Sequence, residues 1–538
     1  MREAGRFDYV IVGGGSAGCV LANRLSADRE TTVLLLEAGG KDDYPWIDIP
    51  VGYLYTIGNP RTDWCLSTTA DPGLAGRRLG YARGRVLGGC SSINAMIYMR
   101  GQRSDYDAWA AAGNPGWGWS EVLPDFMRME DYCHGADDCH GSGGELRVEE
   151  RRVNWEILDA WRDAASECGI PRIAEFNRGD NFGHAYFQMN QRRGQRWSAS
   201  RAFLRPVLGR PNLHVRTNTR VHRLRFDDPT DAGRVSGLDC RDDAGLHSIT
   251  ARREVILAAG AVGSPLILQA SGVGAPSVLS GLGIPLRHAL AGVGENLHDH
   301  LQIRTVYKVQ GARTLNERAN SLMGRIAMGL EYLLFRTGPL TMPPSQLGAF
   351  ARSDPARVEP NIEWHVQPLS LDRFGEPLHP FAAITPSVCN LRPTSRGHVR
   401  LTSSDPECVP EIALNYLSTE DDRQVAVDSL AFTRRIMASA ALARFRPEEW
   451  KPGLHLASPE EMLQAARELG TTIFHPVSTC RMGPDAGAVV DARLRVHGLR
   501  GVRVVDASIM PMITSGNTNA PTLMIAEKGA RMIREDAA

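Results

Sequence analysis

The stretch from Phe7 to Glu37 limits what this chain can fold into more than any other. FDYVIV is a short apolar run of strand type, GGGSAG follows at once, CVLANRLSAD places Val20, Leu21 and Leu25 on one helical face, and TVLLLE is a second buried strand. Strand, glycine turn, helix and strand form a dinucleotide-binding unit. Gly13 lets the chain leave the strand in a tight turn, Gly15 clears the way for the backbone of Ser16 and Ala17 to approach a pyrophosphate, and Gly18 allows close helix–strand packing. The phosphates then meet unpaired N–H groups at the helix N-terminus. Glu37, followed by Ala38, ends the second strand 19 residues past Gly18, where a carboxylate accepts hydrogen bonds from ribose hydroxyls. A carboxylate there repels a 2′-phosphate, so FAD or NAD fits better than NADP.

At 538 residues the chain exceeds one compact core and calls for two domains or a two-lobed unit. Lys plus Arg equals Asp plus Glu at 61 each, which leaves no charge excess to hold nucleic acid. The longest uncharged stretch, Val255 to Leu286, contains six glycines and three prolines, so it divides into strand, turns and helix rather than spanning a membrane. No signal-peptide core precedes the first strand, and the ten cysteines are scattered as reduced thiols would be. The expectation is a cytoplasmic protein, with peripheral contact on the cytoplasmic face of a membrane left open. Cys133-His134 and Cys139-His140 lie around GADDCHGSGG, which reads as a solvated loop, and no metal is expected there.

Further along, YARGRVLGGCSSINAMIYMRG (81–101) packs small and hydroxyl residues densely enough to press a loop on a planar or phosphorylated ligand. Arg85, Gly89, Ser92 and Asn94 are its candidates, and Trp64 of the preceding excursion is expected against the same ligand. REVILAAGAVGSPLILQ repeats the logic of the opening, a buried strand running into Ala259 and Gly260, with a helix expected after Ser264-Pro265. An amphipathic helix near Leu322 to Phe335 and short alternating runs such as NIEWHVQP mark a second domain. The division expected is 1–155, 196–301 and 469–538 for a cofactor domain, and 156–195 and 302–468 for a substrate domain.

TTIFHPVSTCRMG sets His475 before Pro476, which biases it away from helix and helps aim the ring. Histidine is the side chain best suited to accept an alcohol proton near neutral pH. SGNTNAPTLM sets Asn517, Thr518 and Asn519 before a helix whose first turn holds Pro521 and Thr522, and the positive end of that helix would stabilise charge on a reduced flavin. Phe474 and His365 are the candidates for the substrate pocket, and Glu363 is a candidate anion for a cationic substrate.

In these blocks, GGGSAG with Glu37, GRVLGGCSSIN, GAVGSPLILQASGVG, HPVSTCRMG, and VVDASIMP with GNTNAPTLMIAEK, the chain resembles the glucose-methanol-choline family of FAD-dependent alcohol oxidoreductases, especially its choline-dehydrogenase-like and primary-alcohol dehydrogenase members. The resemblance spans Phe7 to Glu535. It implies an α/β fold, a Rossmann-like FAD domain discontinuous in sequence beside an α+β substrate domain on a mostly antiparallel sheet. It implies His475 as catalytic base and Asn519, 44 positions later, as second catalytic residue. It further implies Asp506-Ala507 at the phosphate and ribityl region, Val221 at the adenine, and Val86, Ala95 and Met96 along the cofactor. Ile93 stands where some members carry a histidine bonded to the flavin, so FAD is expected to be noncovalent. The expected reaction is oxidation of a primary alcohol to the aldehyde with transfer to a non-NAD acceptor, either quinone-like or O2. The hydroxynitrile lyase and fatty-acid photodecarboxylase activities of the same scaffold are alternatives.

Overall fold

A computed structural model describes residues 2–228, 233–372 and 376–537. The chain begins with β1 (Arg2–Val12), α1 (Ser16–Leu25) and β2 (Val33–Leu36), the last two strands of hydrophobic residues being buried at every position that pairs them. It continues through α2 (Glu156–Glu167), β3 (Gly183–Tyr186), β4 (Leu213–Arg216), β5 (Arg220–Phe226), β6 (Val235–Asp242), β7 (Gly245–Leu257) and α3 (Gly260–Ala270). The second half supplies β8 (Leu301–Arg304), β9 (Val306–Lys308), α4 (Leu322–Phe335), β10 (Leu347–Ala351), β11 (Ile362–Gln367) and β12 (Ala383–Asn390). Last come α5 (Glu420–Met437), β13 (Glu448–Lys451), α6 (Pro459–Leu469), β14 (Gly470–Thr472), β15 (Val502–Val504) and α7 (Asn519–Ala537).

Two sheets organise these elements. The first runs β4-β2-β1-β7-β6-β5, with β15 beside the end of β7. Its β4, β2, β1, β7 and β15 are parallel, while β5 and β6 add an antiparallel edge. Parallel strands need a crossover and cover on both faces; α1 crosses from β1 to β2, and α7 packs along α1. Gly18 makes the close approach feasible, because a Cβ there would lie 1.9 Å from Gly13 O. The second sheet is antiparallel in order β13-β9-β12-β11-β10-β3, with β8 pairing both β12 and β14. Each sheet has its own hydrophobic core, one around Val10, Leu34 and Val255, the other around Trp161, Trp364 and Ile384.

Three local expectations change. Pro265 lies inside α3, which starts five residues earlier at Gly260. The carbonyl freed by the missing proline N–H, Ala261 O, accepts from Thr479 Oγ1 at 2.7 Å, so a residue remote in sequence sustains the turn. His140 is not in a solvated loop: it is fully buried, stacks on Tyr132 at 3.9 Å and bonds Glu130 at 3.0 Å, and Glu130 pairs with buried Arg100. Gly470–Thr472, assigned by sequence to the cofactor domain, pairs with β8 of the second sheet. Among the described residues no helix is long and apolar enough to cross a membrane.

Candidate active site

The parallel strands carry their C-terminal ends to one edge, where the N-termini of α1, α3 and α7 converge on a cavity of about 2290 Å³, counting its open mouth. Gly15, Ser16 and Ala17 bring α1 to its wall, Ala259 and Gly260 bring α3, and Asn517, Thr518, Asn519 and Thr522 bring α7. Neither α1 nor α3 is capped by the side chain of its own N-cap residue; the first N–H groups of α1 face the cavity, while the first of α3, Gly260 N, is taken by the Asp506 carboxylate. A free end like that of α1 binds an anionic diphosphate. Gly13 adopts φ +102°, which only glycine holds without strain, and a Cβ on Gly89 would come within 2.7 Å of Gly15 Cα.

Glu37 is buried at the cavity edge, its Oε2 accepting from Gly14 N at 2.8 Å and its Oε1 from Gly39 N at 2.7 Å. Burial pushes its carboxyl up to about 7. Each oxygen keeps a lone pair for a ribose hydroxyl. Ala38, Trp64, Asn94, Ala95, Met96, Val221, Asp506 and Ala507 also line the cavity, as does Ile93. The Asp506 carboxylate is held by Gly260 N at 2.8 Å and by Ser264 Oγ and Ser508 Oγ at 2.6 and 2.5 Å. The uncapped N-terminus of α1, the acid at the end of β2 and the glycine-cleared contact of Gly15 with Gly89 fit FAD.

Five of the expected cofactor residues do not line the cavity. Gly18 packs under Gly13, Arg85 stacks on Trp64 at 5.0 Å, and buried Val86 bridges Gly40. Ser92 donates its hydroxyl to Leu87 O at 2.8 Å, and Pro521 is buried in the first turn of α7. They pack behind or beside the loops that line the cavity.

At the far end His475 follows β14. Its backbone N donates to Asp299 Oδ1 at 2.7 Å. Asp299 also receives Tyr81, Tyr416 and Thr472 hydroxyls at 2.9, 2.7 and 2.6 Å, so one buried carboxylate ties Tyr81, Tyr416 and the stretch from Thr472 to His475 together. The side chain of His475 lies between His300, whose Nδ1 is 3.1 Å from His475 Nδ1, and Asn517, whose Nδ2 is 3.1 Å from His475 Nε2. His300 Nε2 is 3.2 Å from Leu391 O. A carbonyl only accepts, so His300 carries its proton on Nε2 and offers a lone pair at Nδ1. His475 therefore carries its proton on Nδ1, and its Nε2 is an unprotonated base. Burial, reinforced by the charges of His300, His365 and Arg83, holds the His475 pKa well below the ordinary histidine value, and burial pushes His300 down to about 3.

The structure places Asn517, not Asn519, against the base. Asn519 Oδ1 accepts from Ser16 Oγ at 2.9 Å and so links the N-termini of α1 and α7. Asn517 lies two residues before the helix; its Oδ1 is buried with no partner among the described residues and is left for a ligand. His365 and Phe474 both line the cavity. Glu363 does not: it is buried behind the wall, 3.2 Å from His365 Nε2 and 3.9 Å from Cys389 Sγ. Sequence reasoning passed over Asp299 and His300 in LHDHL, although an aspartate between two histidines is itself a dense titratable signal.

Both ends of the cavity belong to a flavin-dependent oxidoreductase. The chain is a member of the GMC oxidoreductase family, which matches residues 7–302 and 393–526. It is 40% identical over 529 residues to "Alcohol dehydrogenase [acceptor]" of Pseudomonas putida, covering 98% of this chain and 95% of that protein. It is 39% identical over 537 residues to human mitochondrial choline dehydrogenase, covering 98% and 90%. Among solved structures it is similar to pyridoxine 4-oxidase from Mesorbium loti, with TM-score 0.88, 35% identity and coverage of 98% and 99%.

Proposed function

We propose that the protein oxidises a neutral primary alcohol to the aldehyde, with His475 as the base, and passes the electrons to a non-NAD acceptor. One observation carries the reading: the relay from Leu391 O through His300 leaves His475 Nε2 unprotonated at the cavity, beside Asn517. FAD, when bound, supplies the acceptor for the hydride that leaves the carbinol carbon. The chain does the rest. Asn517 shifts its Nδ2 N–H from His475 Nε2 to the substrate oxygen, which frees the Nε2 lone pair, and its Oδ1 is a second anchor. His475 Nε2 takes the hydroxyl proton as the C–H bond breaks, and His300 Nδ1 holds the resulting imidazolium through its remaining N–H. Ile93, with no nucleophile to offer, supports a noncovalent cofactor.

The wall bears on the substrate. Gln302, Ser345, His365, Gln367 and Phe474 line the cavity with His475, and among the described residues the only acids in the lining are Glu37 and Asp506, both engaged at the dinucleotide end. A quaternary ammonium wants an aromatic cage or an anion. This wall supports an uncharged alcohol over choline, and Glu363 cannot supply the anion from behind it. The name of the Pseudomonas putida relative favours a dehydrogenase over an oxidase. The test is anaerobic mixing with straight-chain, benzylic and choline alcohols. Flavin bleaching by the uncharged alcohols, with choline weakest, is expected; bleaching by none of them would refute alcohol oxidation, and preference for choline would refute the uncharged assignment.

A further inference from the structure

Helix α4 (Leu322–Phe335) is amphipathic, as its periodicity requires, but it presents its apolar face outward. Only Met328 and Tyr332 are buried against the protein. Leu322, Met323, Ile326, Leu330, Leu333 and Leu334 recur at three- and four-residue spacing and so form one stripe, between 48% and 73% exposed. Phe335 at its end is 67% exposed. These seven are among sixteen large apolar side chains exposed over the described residues, so nearly half of such surface sits on one helix. Scattered apolar residues on a surface need no explanation, but a contiguous stripe marks a docking face.

The charges around the stripe identify the occupant. Arg325 and Arg336 belong to the helix and its C-terminus, Arg152 Nε donates to Arg336 O at 2.8 Å, and Gly194, next to Arg192 and Arg193, abuts the same carbonyl. None of these five arginines has a carboxylate within salt-bridge distance among the described residues, whereas Arg318 is paired with Glu331 at 3.3 Å. A second copy docked through the same face would bring this unpaired positive charge close to its equal. An anionic lipid surface satisfies both features, taking the apolar stripe at the acyl boundary and the arginines at its phosphates.

We propose that α4 is an interfacial helix that docks the protein on an anionic bilayer. From α4 the chain passes through Pro339–Thr341, packed against Pro50–Gly52, to Pro344 and Ser345 in the cavity wall. Docking therefore sets the substrate end of the cavity near the lipid. On the functional reading above, that suits an apolar alcohol or a quinone-like acceptor drawn from the bilayer; the docking itself does not depend on that reading.

The test is flotation of the FAD-loaded protein with vesicles of phosphatidylcholine and phosphatidylglycerol, beside vesicles of phosphatidylcholine alone. The native protein floats with the mixed vesicles and much less with the neutral ones, and added salt reduces binding. Leu330→Glu/Leu334→Glu alters only exposed positions, so it keeps its melting temperature and its rate with a water-soluble dye acceptor while vesicle affinity falls at least ~100-fold. A native protein that stays at the bottom of the gradient, or floats equally on neutral vesicles, overturns the proposal. So does a dimer by light scattering that the double variant dissociates, because the occupant would then be a second copy.

Discussion

Asn517→Ala and Asn519→Ala separate the structural assignment from the family spacing. Asn517 Nδ2 meets His475 Nε2 at 3.1 Å with both residues less than a tenth exposed, and its Oδ1 is free for substrate. Unmaking a buried hydrogen bond costs ~1–3 kcal/mol, and loss of one donor to a reacting oxygen costs about 2.7–4 kcal/mol in comparable sites. At ~1.4 kcal/mol per tenfold, Asn517→Ala slows flavin reduction by roughly 10². Asn519 makes a half-buried bond to the Ser16 hydroxyl at 2.9 Å, a loss of about 1 kcal/mol that falls on the packing of α1 against α7. Asn519→Ala should therefore retain the chemical step within about threefold and show its effect as weaker flavin retention. The assay is anaerobic stopped flow at saturating alcohol, read as flavin bleaching. If Asn519→Ala lost as much rate as a His475 variant while Asn517→Ala stayed close to the native enzyme, the geometric argument would be refuted.

His475→Ala should slow flavin reduction at saturating alcohol by roughly 10² or more, and an unchanged rate would remove His475 from the role of base. His300→Ala removes the acceptor that holds the His475 tautomer; with ~1.5 kcal/mol lost, kcat drops about tenfold, and His300→Asn, which restores an acceptor, recovers part of it. Because His475 and His300 titrate below the ordinary histidine value of 6.5, their burial as neutral rings costs nothing above it. The stability these two rings contribute is therefore level at higher pH and declines as pH falls from 6.5 towards about 3, where the unfolded chain takes up protons first, against the opposite slope of buried Glu37, whose carboxyl is raised to about 7; a His475→Gln/His300→Gln variant whose melting temperature followed pH as the native protein's does would contradict this. Thr479→Val deletes the hydroxyl that serves Ala261 O below Pro265 and should cost about 1–3 kcal/mol in denaturant unfolding. Gly18→Ala would place a methyl 1.9 Å from Gly13 O, and colourless or insoluble protein is the expected outcome.

The sequence by itself determined the cofactor half of the protein. Strand, glycine turn, helix and acid are close neighbours in the chain, and their geometry is set by local backbone freedom and hydrophobic period, so Gly13 to Glu37 could be read without any distant residue. The histidine before Pro476 was legible for the same reason. Tertiary structure alone decided which asparagine meets it, because Asn517 and Asn519 are chemically identical and two residues apart, and only the start of α7 turns one to His475 and the other to Ser16. It alone brought Asp299, His300 and Leu391 to that ring across gaps of 84 to 176 residues, and so settled which imidazole nitrogen is free to take a proton. It also turned the apolar face of α4 to solvent. The helical period reports that such a face exists, but which side the rest of the molecule covers depends on packing between segments remote in the chain.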